Sequence, residues 1–235
     1  MPQQTSASAH AADINVLSGA AVEPGLLAAT DIFRKRTGHN VKITFATTPE
    51  IRRLVGLGAA PDVVIAPHGA LDELAKSGKV AGAARVSLGR VGIGVVIRDG
   101  APKPDVSTTE ALKRAVLDAD SVIYNRASSG LYVEGLLQRL GLAEHIQAKT
   151  KRYSGTDMIE PLMKGRGQEI GFMPVAQILI WRGKGLQLVG PLPADIQNFT
   201  TYAADHAPNS EGGLAFVRFL GTPEAKGIFA SAGIE

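Results

Sequence analysis

The stretch Ala60–Gly69 reads APDVVIAPHG, and within it Asp62–Ala66 is a short apolar run bounded by proline on both sides. Such a run, flanked by turn residues, predicts a buried strand. A helical pattern follows immediately, passes through Leu74 and ends at Gly78. The stretch is therefore a strand, a tight turn and a helix in direct succession.

Two more units of this kind lie upstream. Ile14–Leu17 and Val41–Phe45 are short apolar strands. The first precedes a helical pattern over residues 23–36, and the second precedes a helix that opens at Thr47-Thr48-Pro49, where proline suits the first turn. Three consecutive strand–helix units predict a parallel sheet covered by helices.

The longest predicted strand lies downstream, at Val86–Ile97, and is too apolar on both faces for a surface hairpin. We interpret it as the first crossover between two lobes. Its Gly92-Ile93-Gly94 lacks the third glycine of a dinucleotide-binding loop and is a structural feature of the strand. The remaining predicted strands are 121–124, 169–173, 186–189 and 199–204, and the remaining predicted helices are 107–116, 128–140, one ending near 164, 175–181, 210–220 and 223–232.

The composition is that of an ordinary globular protein. The 235 residues are 45% hydrophobic and 20% charged, and the net charge of +3 is spread along the chain, which argues against a nucleic-acid partner. The absence of cysteine excludes disulfides and thiolate chemistry, and the five histidines show no zinc-like spacing. We therefore expect no metal and no cofactor.

The amino-terminal residues bear on location. Ala9-His10-Ala11 has the small-x-small form of a signal-peptidase site, although no apolar segment precedes it. We expect residues 1–12 to form a disordered tail. If a leader has been removed, the protein is periplasmic, and if no leader exists, it is cytoplasmic.

Three segments carry a family resemblance: Ile32–Gly38 (IFRKRTG), Ala60–Ile65 (APDVVI) and Phe219–Ala225 (FLGTPEA). In this order and spacing the chain resembles the molybdate-binding-like branch of extracellular solute-binding proteins. The resemblance implies a two-lobed type II periplasmic binding protein fold in the α/β class, each lobe a mainly parallel sheet flanked by helices. Lobe one would comprise 13–84 plus 192–235, and lobe two 85–191.

The resemblance also implies a ligand between the lobes, where helix N-termini offer backbone N–H groups to a small anion. Relatives that take molybdate usually have serine where this chain has Ala21 and tyrosine where it has Pro174. Arg126 and His68 near the cleft instead suggest a carboxylate ligand. The predicted ligand-binding residues are Ser18, Gly19, Ala20, Thr47, Thr48, His68, Arg126, Ser128, Ser129, Tyr153 and Met173.

Two functions follow from the resemblance. The first is a monomeric solute-binding protein that holds a small oxyanion or carboxylate for an ABC transporter permease. The alternative is an aconitate-type isomerase of a small polycarboxylate on the same fold, free of cofactors. It would need a proton donor and acceptor beside the substrate, for which His68 is the candidate base and Tyr153 a weaker candidate acid.

Overall fold

A computed structural model describes residues 11–235 of the chain. Of the predicted disordered tail, residues 1–10 lie outside the described residues. Ala12 is held at the start of the fold: its N–H donates to Nδ1 of His39 at 3.0 Å, and its carbonyl accepts from the N–H of Asn40. None of the helices within residues 11–235 combines the length and apolar character needed to span a membrane.

The chain alternates between strands and helices over most of its length. The strands are β1 Asp13–Gly19, β2 Asn40–Ala46, β3 Val63–Pro67, β4 Val86–Arg98, β5 Ser121–Asn125, β6 Thr150–Tyr153, β7 Glu169–Pro174, β8 Leu186–Pro191 and β9 Phe199–His206. The helices are α1 Glu23–Thr37, α2 Thr48–Gly56, α3 His68–Lys76, α4 Thr109–Asp118, α5 Ser128–Arg139, α6 Ala143–Ile146, α7 Ile159–Lys164, α8 Val175–Ile180, α9 Glu211–Leu220 and α10 Pro223–Ser231. Short 3-10 turns occur at Ala20–Val22, Gln147–Lys149 and Ala194–Ile196.

Side-chain caps fix several helix starts. Thr108, Ser210 and Thr222 each accept a hydrogen bond from the backbone N–H three residues further on. Such caps satisfy donors that the first helical turn leaves unpaired. The predicted close succession of helix end and helix start is confirmed, because α9 ends at Leu220 and α10 begins at Pro223.

The strands form one continuous path in the order β2-β1-β3-β9-β4-β7-β5-β6, with β8 added beside β4. Pairing is parallel at both ends of this path, between β1 and its neighbours and between β5 and its neighbours, and antiparallel in the middle. Strand β4 belongs to both halves: its residues 86–92 pair with β9, while 93–98 pair with β7 and β8.

Each half has its own apolar core. In one half α1, α9 and α10 cover the sheet, and Leu26, Phe216 and Phe229 are completely buried. In the other half α4 and α5 bury Leu112 and Leu136 against β5 and β7. We propose that the two lobes divide within β4, which is later in the chain than the predicted boundary between residues 84 and 85, and again before β9, as predicted.

All the predicted strands are confirmed, but one strand was missed. Residues Thr150–Tyr153 (TKRY) form β6, which pairs in parallel with β5 at the end of the sheet. Its side chains are partly or fully exposed, so it lacks the apolar run or alternation that identifies a half-buried strand. Only the neighbouring strand makes this segment extended.

The buried carboxylate of Asp205 connects β9 with the segment that contains Gly82 and Arg85, and through Arg85 with α3. Asp205 on β9 is fully buried and accepts hydrogen bonds from Nε of Arg85 at 3.1 Å, from the N–H of Gly82 and from the N–H of His206. Arg85 also pairs with Asp72 on α3. The buried charge is therefore compensated by one cation and two backbone donors.

We expect Asp205→Asn to lower the free energy of unfolding by about 3 kcal/mol, because it removes the buried one of the two carboxylates that compensate the mostly buried Arg85. Differential scanning calorimetry measures this as a fall in Tm of roughly 6–12 °C. Glu160→Gln is the matched control, since Glu160 pairs with Lys164 on the exposed surface. The control leaves Tm unchanged, and an equal Tm for both variants would contradict the role of Asp205.

Candidate functional site

A cavity of about 60 Å³ lies where the two halves face each other. Its walls come from the ends of strands and the starts of the helices or turns that follow them, together with the loop after β6 and one residue of β9. The lining residues are Gly19, Ala20, Ala21, Ala46, Thr47, Thr48, Asn125, Ala127, Ser128, Ser129, Gly155, Thr156, Pro174, Gln177 and Tyr202.

The first half contributes the start of α2. Thr47 is its N-cap and accepts from the N–H of Glu50 at 3.4 Å, while Pro49 occupies the first turn. Thr48 begins the helix and is buried beside the cavity. Thr47 thus caps the helix, and both threonines line the cavity at the positive end of α2.

The second half contributes the start of α5. The Oδ1 atom of buried Asn125 accepts from the N–H of Ala127 at 2.9 Å and from the hydroxyl of Ser129 at 3.5 Å. No side chain caps this helix, so its first-turn N–H groups lie at the cavity without a side-chain acceptor. Ser128 and Ser129 line the cavity at this point.

Glycine at position 130 makes this arrangement possible. A Cβ atom on Gly130 would lie 1.7 Å from the carbonyl oxygen of Asn125, far inside van der Waals contact. The first turn of α5 therefore packs directly on the end of β5. This close approach holds the Ser128–Ser129 backbone at the cavity wall.

We expect Gly130→Ala to lower the free energy of unfolding by more than about 3 kcal/mol, because backbone must move to admit the methyl group. Gly135→Ala on the same helix is the control: its Cβ would meet only the flexible end of Arg139, at 3.4 Å. The control gains about 0.5–1 kcal/mol from helix propensity. Urea denaturation measures both, and similar stabilities would contradict the packing argument.

One side chain joins the two sides of the cavity. Gln177 on α8 is buried and its Nε2 donates to the carbonyl of Ala20 at 3.3 Å. Helix α8 continues directly from β7 in the second half, yet its Ala176 packs in the core of the first half. The Gln177 amide has a second N–H available toward the cavity.

The cavity wall is almost free of ionisable groups. Within residues 11–235, Tyr202 is the only lining side chain that can titrate, and burial raises the pKa of its phenol to about 12. The phenol is therefore protonated near neutral pH. The positive character of the cavity comes from N–H dipoles and hydroxyl donors rather than from a cation.

The structure brings together six of the eleven predicted ligand-binding residues: Gly19, Ala20, Thr47, Thr48, Ser128 and Ser129. The other five do not line the cavity. Ser18 is buried and its hydroxyl donates to the carbonyl of Gly19, and Met173 is buried in β7. His68 begins α3, Tyr153 ends β6 against an apolar cluster, and Arg126 is exposed. Roles for these five remain predictions.

Nine lining residues are not among the predicted ligand-binding residues: Ala21, Ala46, Asn125, Ala127, Gly155, Thr156, Pro174, Gln177 and Tyr202. Asn125 had a usable signal, because a polar residue at the carboxyl end of a buried strand lies where parallel sheets bind ligands. Gln177 and Tyr202 had none. Gln177 lies in the first turn of the short helix α8 and Tyr202 lies within β9, and only the packing of the two halves places both at the cavity.

A larger cavity, of about 880 Å³, lies along the connection between the halves, near Arg90, Phe199 and Glu235. Arg90 stacks over the Phe199 ring at 4.1 Å and pairs with Glu235 at 3.3 Å, so its charge is already compensated. We therefore place the candidate anion site in the smaller cavity.

Within residues 11–235, no group of three or more His, Asp or Glu side chains lies close enough together to hold a metal ion. The predicted catalytic residue His68 is half-buried at the start of α3, outside the wall of the smaller cavity. The donors that converge on that cavity are suited to binding an anion. They include no evident base for abstracting a proton.

Helix N-termini from two α/β halves, facing each other across a cavity, define a ligand-binding fold of the periplasmic type. A family model described as bacterial extracellular solute-binding protein matches residues 14–235. The chain belongs to this family of bacterial extracellular solute-binding proteins, which confirms the family resemblance seen in the sequence.

Solved structures agree on the fold. The periplasmic molybdate-binding protein of Azotobacter vinelandii superposes with a TM-score of 0.76 at 18% identity, over 94% of this chain and 98% of that one. The sulfate-binding protein SubI of Mycobacterium tuberculosis superposes with a TM-score of 0.74 at 20% identity, over 95% and 86% of the two chains. The predicted two-lobed α/β fold class is thereby confirmed.

A curated relative is similar in sequence over nearly the whole chain. It is a protein of Pseudomonas sp. named aconitate isomerase, 29% identical over 231 residues, which cover 94% of this chain and 87% of that protein.

Proposed function

We propose that this protein binds a small oxyanion or carboxylate in the 60 Å³ cavity and delivers it to an ABC permease. The observation that carries the proposal is the convergence of the starts of α2 and α5, from opposite halves, on one cavity. Backbone N–H groups and the positive ends of helix dipoles hold a desolvated anion without a full positive charge.

The size of the cavity favours an oxyanion of a few atoms. The cavity volume of about 60 Å³ is a few times the roughly 10–15 Å³ that one enclosed water molecule needs. A single tetrahedral anion suits this space far better than a tricarboxylate. A larger carboxylate requires the two halves to move apart.

The chemistry of the wall favours a fully deprotonated ligand. Thr48, Ser128 and Tyr202 offer hydroxyl donors, and no carboxylate or imidazole among the described residues lines the cavity. Oδ1 of Asn125 already accepts two hydrogen bonds. A ligand that carries its own proton, such as hydrogen phosphate, would leave that proton without a charged acceptor. Sulfate, molybdate and tungstate carry none near neutral pH.

Isothermal titration with molybdate, tungstate, sulfate, phosphate and cis-aconitate tests the proposal. We expect one of the three deprotonated tetrahedral anions to bind most tightly. Thr48→Val should weaken that binding roughly 10-fold or more, since a hydrogen bond to a charged group contributes about 1.5–3 kcal/mol. Thr44→Val is the control, because Thr44 is an exposed residue of β2, the strand that leads to the cavity.

Two results would contradict the proposal. Absence of binding for every anion in the panel would exclude an anion site of this kind. Equal losses of affinity in Thr48→Val and Thr44→Val would remove the cavity as its location.

A second candidate function, isomerisation of a small polycarboxylate, is favoured by the similarity to the Pseudomonas aconitate isomerase. In such a reaction one C–H bond breaks, the double bond shifts, and a proton returns to a different carbon. His68, the candidate base, and Arg126 do not line the cavity as it stands. Tyr202 does line it, but its raised pKa suits it to donate a hydrogen bond rather than to remove a proton.

Incubation with cis-aconitate in D₂O, followed by proton NMR, separates the two functions. We expect binding proteins of this geometry to give no trans-aconitate and no deuterium exchange at carbon. Conversion that disappears in His68→Ala but persists in His145→Ala would establish the isomerase function instead. His145 is the control because it lies on α6, outside the cavity wall.

The family is one of extracellular solute-binding proteins. We propose a periplasmic location for this chain as a monomer, with the permease as the partner that the family resemblance implies.

A further inference from the structure

We propose that the Tyr202 hydroxyl is a hydrogen-bond donor to the bound anion, and that Gly19 is glycine because the Tyr202 ring occupies the space of its side chain. This inference rests on the proposed anion-binding function. It adds a ligand contact from β9, a strand whose sequence carries no signal of a binding role.

The backbone fixes the position of Tyr202. Strand β9 lies in the middle of the sheet, and Tyr202 pairs with Pro67 on one side and with Gly89 on the other. Its side chain is 7% exposed and lines the cavity. Both neighbouring strands hold the backbone of Tyr202, and the surrounding buried side chains confine its ring to the cavity wall.

The Tyr202 hydroxyl has no hydrogen-bond partner within residues 11–235, and it is not among the completely enclosed unpaired polar atoms. Buried tyrosine hydroxyls usually find a partner. A hydroxyl at the edge of an anion cavity gains one when the anion binds. Burial keeps the phenol protonated, with its pKa raised to about 12, so that it can donate.

The glycine at position 19 is a second, independent observation that supports the position of the Tyr202 ring at the cavity. Its backbone has φ −62° and ψ 133°, which any residue adopts, so the backbone conformation does not require glycine. A Cβ atom on Gly19 would lie 2.9 Å from Cε1 of Tyr202. The absence of a side chain at position 19 therefore serves to seat the ring beside the turn that carries Ala20 and Ala21.

The test begins with titration of the wild-type protein with molybdate, sulfate and cis-aconitate, and continues with the anion that binds most tightly. We expect Tyr202→Phe to raise its Kd roughly 10- to 100-fold, because one hydrogen bond to a charged group is lost. The Tm of ligand-free Tyr202→Phe should not fall, since the hydroxyl has no protein partner to lose. Tyr124→Phe is the control and should leave Kd unchanged, because Tyr124 lines a different cavity, beside Glu134 and Arg152.

A double-mutant cycle tests the Gly19 contact. Gly19→Ala displaces the ring and should weaken binding in the wild-type protein, but it should weaken binding much less when Tyr202→Phe has already removed the hydroxyl. Full additivity would mean that a methyl group at position 19 acts on the anion directly, and it would overturn the role assigned to Gly19.

The remaining outcomes separate this inference from the proposed function. If the wild-type protein binds none of the anions, both are overturned. If the wild-type protein binds an anion and Tyr202→Phe binds it equally well, the site stands and the role of Tyr202 is overturned. A fall in Tm for Tyr202→Phe with unchanged Kd would assign the hydroxyl a structural role only.

Discussion

The antiparallel pairing of β4 with β9 is the constraint on which the rest of the structure depends. Each half is a sheet covered by helices with its own core, and β4 is the element whose hydrogen bonds extend into both. Residues 86–92 of β4 lie against β9, and residues 93–98 lie against β7 and β8. This shared strand makes the ends of the parallel strands in the two halves face each other.

The site is a consequence of that arrangement. Parallel strands deliver the starts of their helices to one edge of a sheet, and two such edges facing each other concentrate N–H donors around one small space. Thr48 from one half and Ser129 from the other meet at the same cavity although they lie far apart in the chain. The cavity attracts an anion without lining charges, and it therefore avoids the cost of burying an unpaired cation when it is empty.

The geometry of the cavity suits ligand binding better than it suits proton transfer. A binding site needs donors that stay in one protonation state, and Tyr202, the one titratable lining group among the described residues, does so across the physiological range. An isomerase needs a group that gives and takes a proton near neutral pH. His68 is suited to that role by its chemistry, but it lies outside the cavity wall.

The sequence by itself determined most of the strands and helices, because apolar runs, helix caps and glycine stops are local signals, as in Asp62–Ala66 and Thr47-Thr48-Pro49. It also indicated that Thr47, Thr48, Ser128 and Ser129 lie at ligand-facing loops, since helix starts are readable from such residues. It missed β6, whose polar TKRY sequence becomes a strand only beside β5. Tertiary structure alone decided that Gln177 and Tyr202 reach the cavity and that Arg126 and His68 do not. The direction of those side chains depends on how the two halves pack on either side of β4, and a local sequence pattern cannot predict that packing.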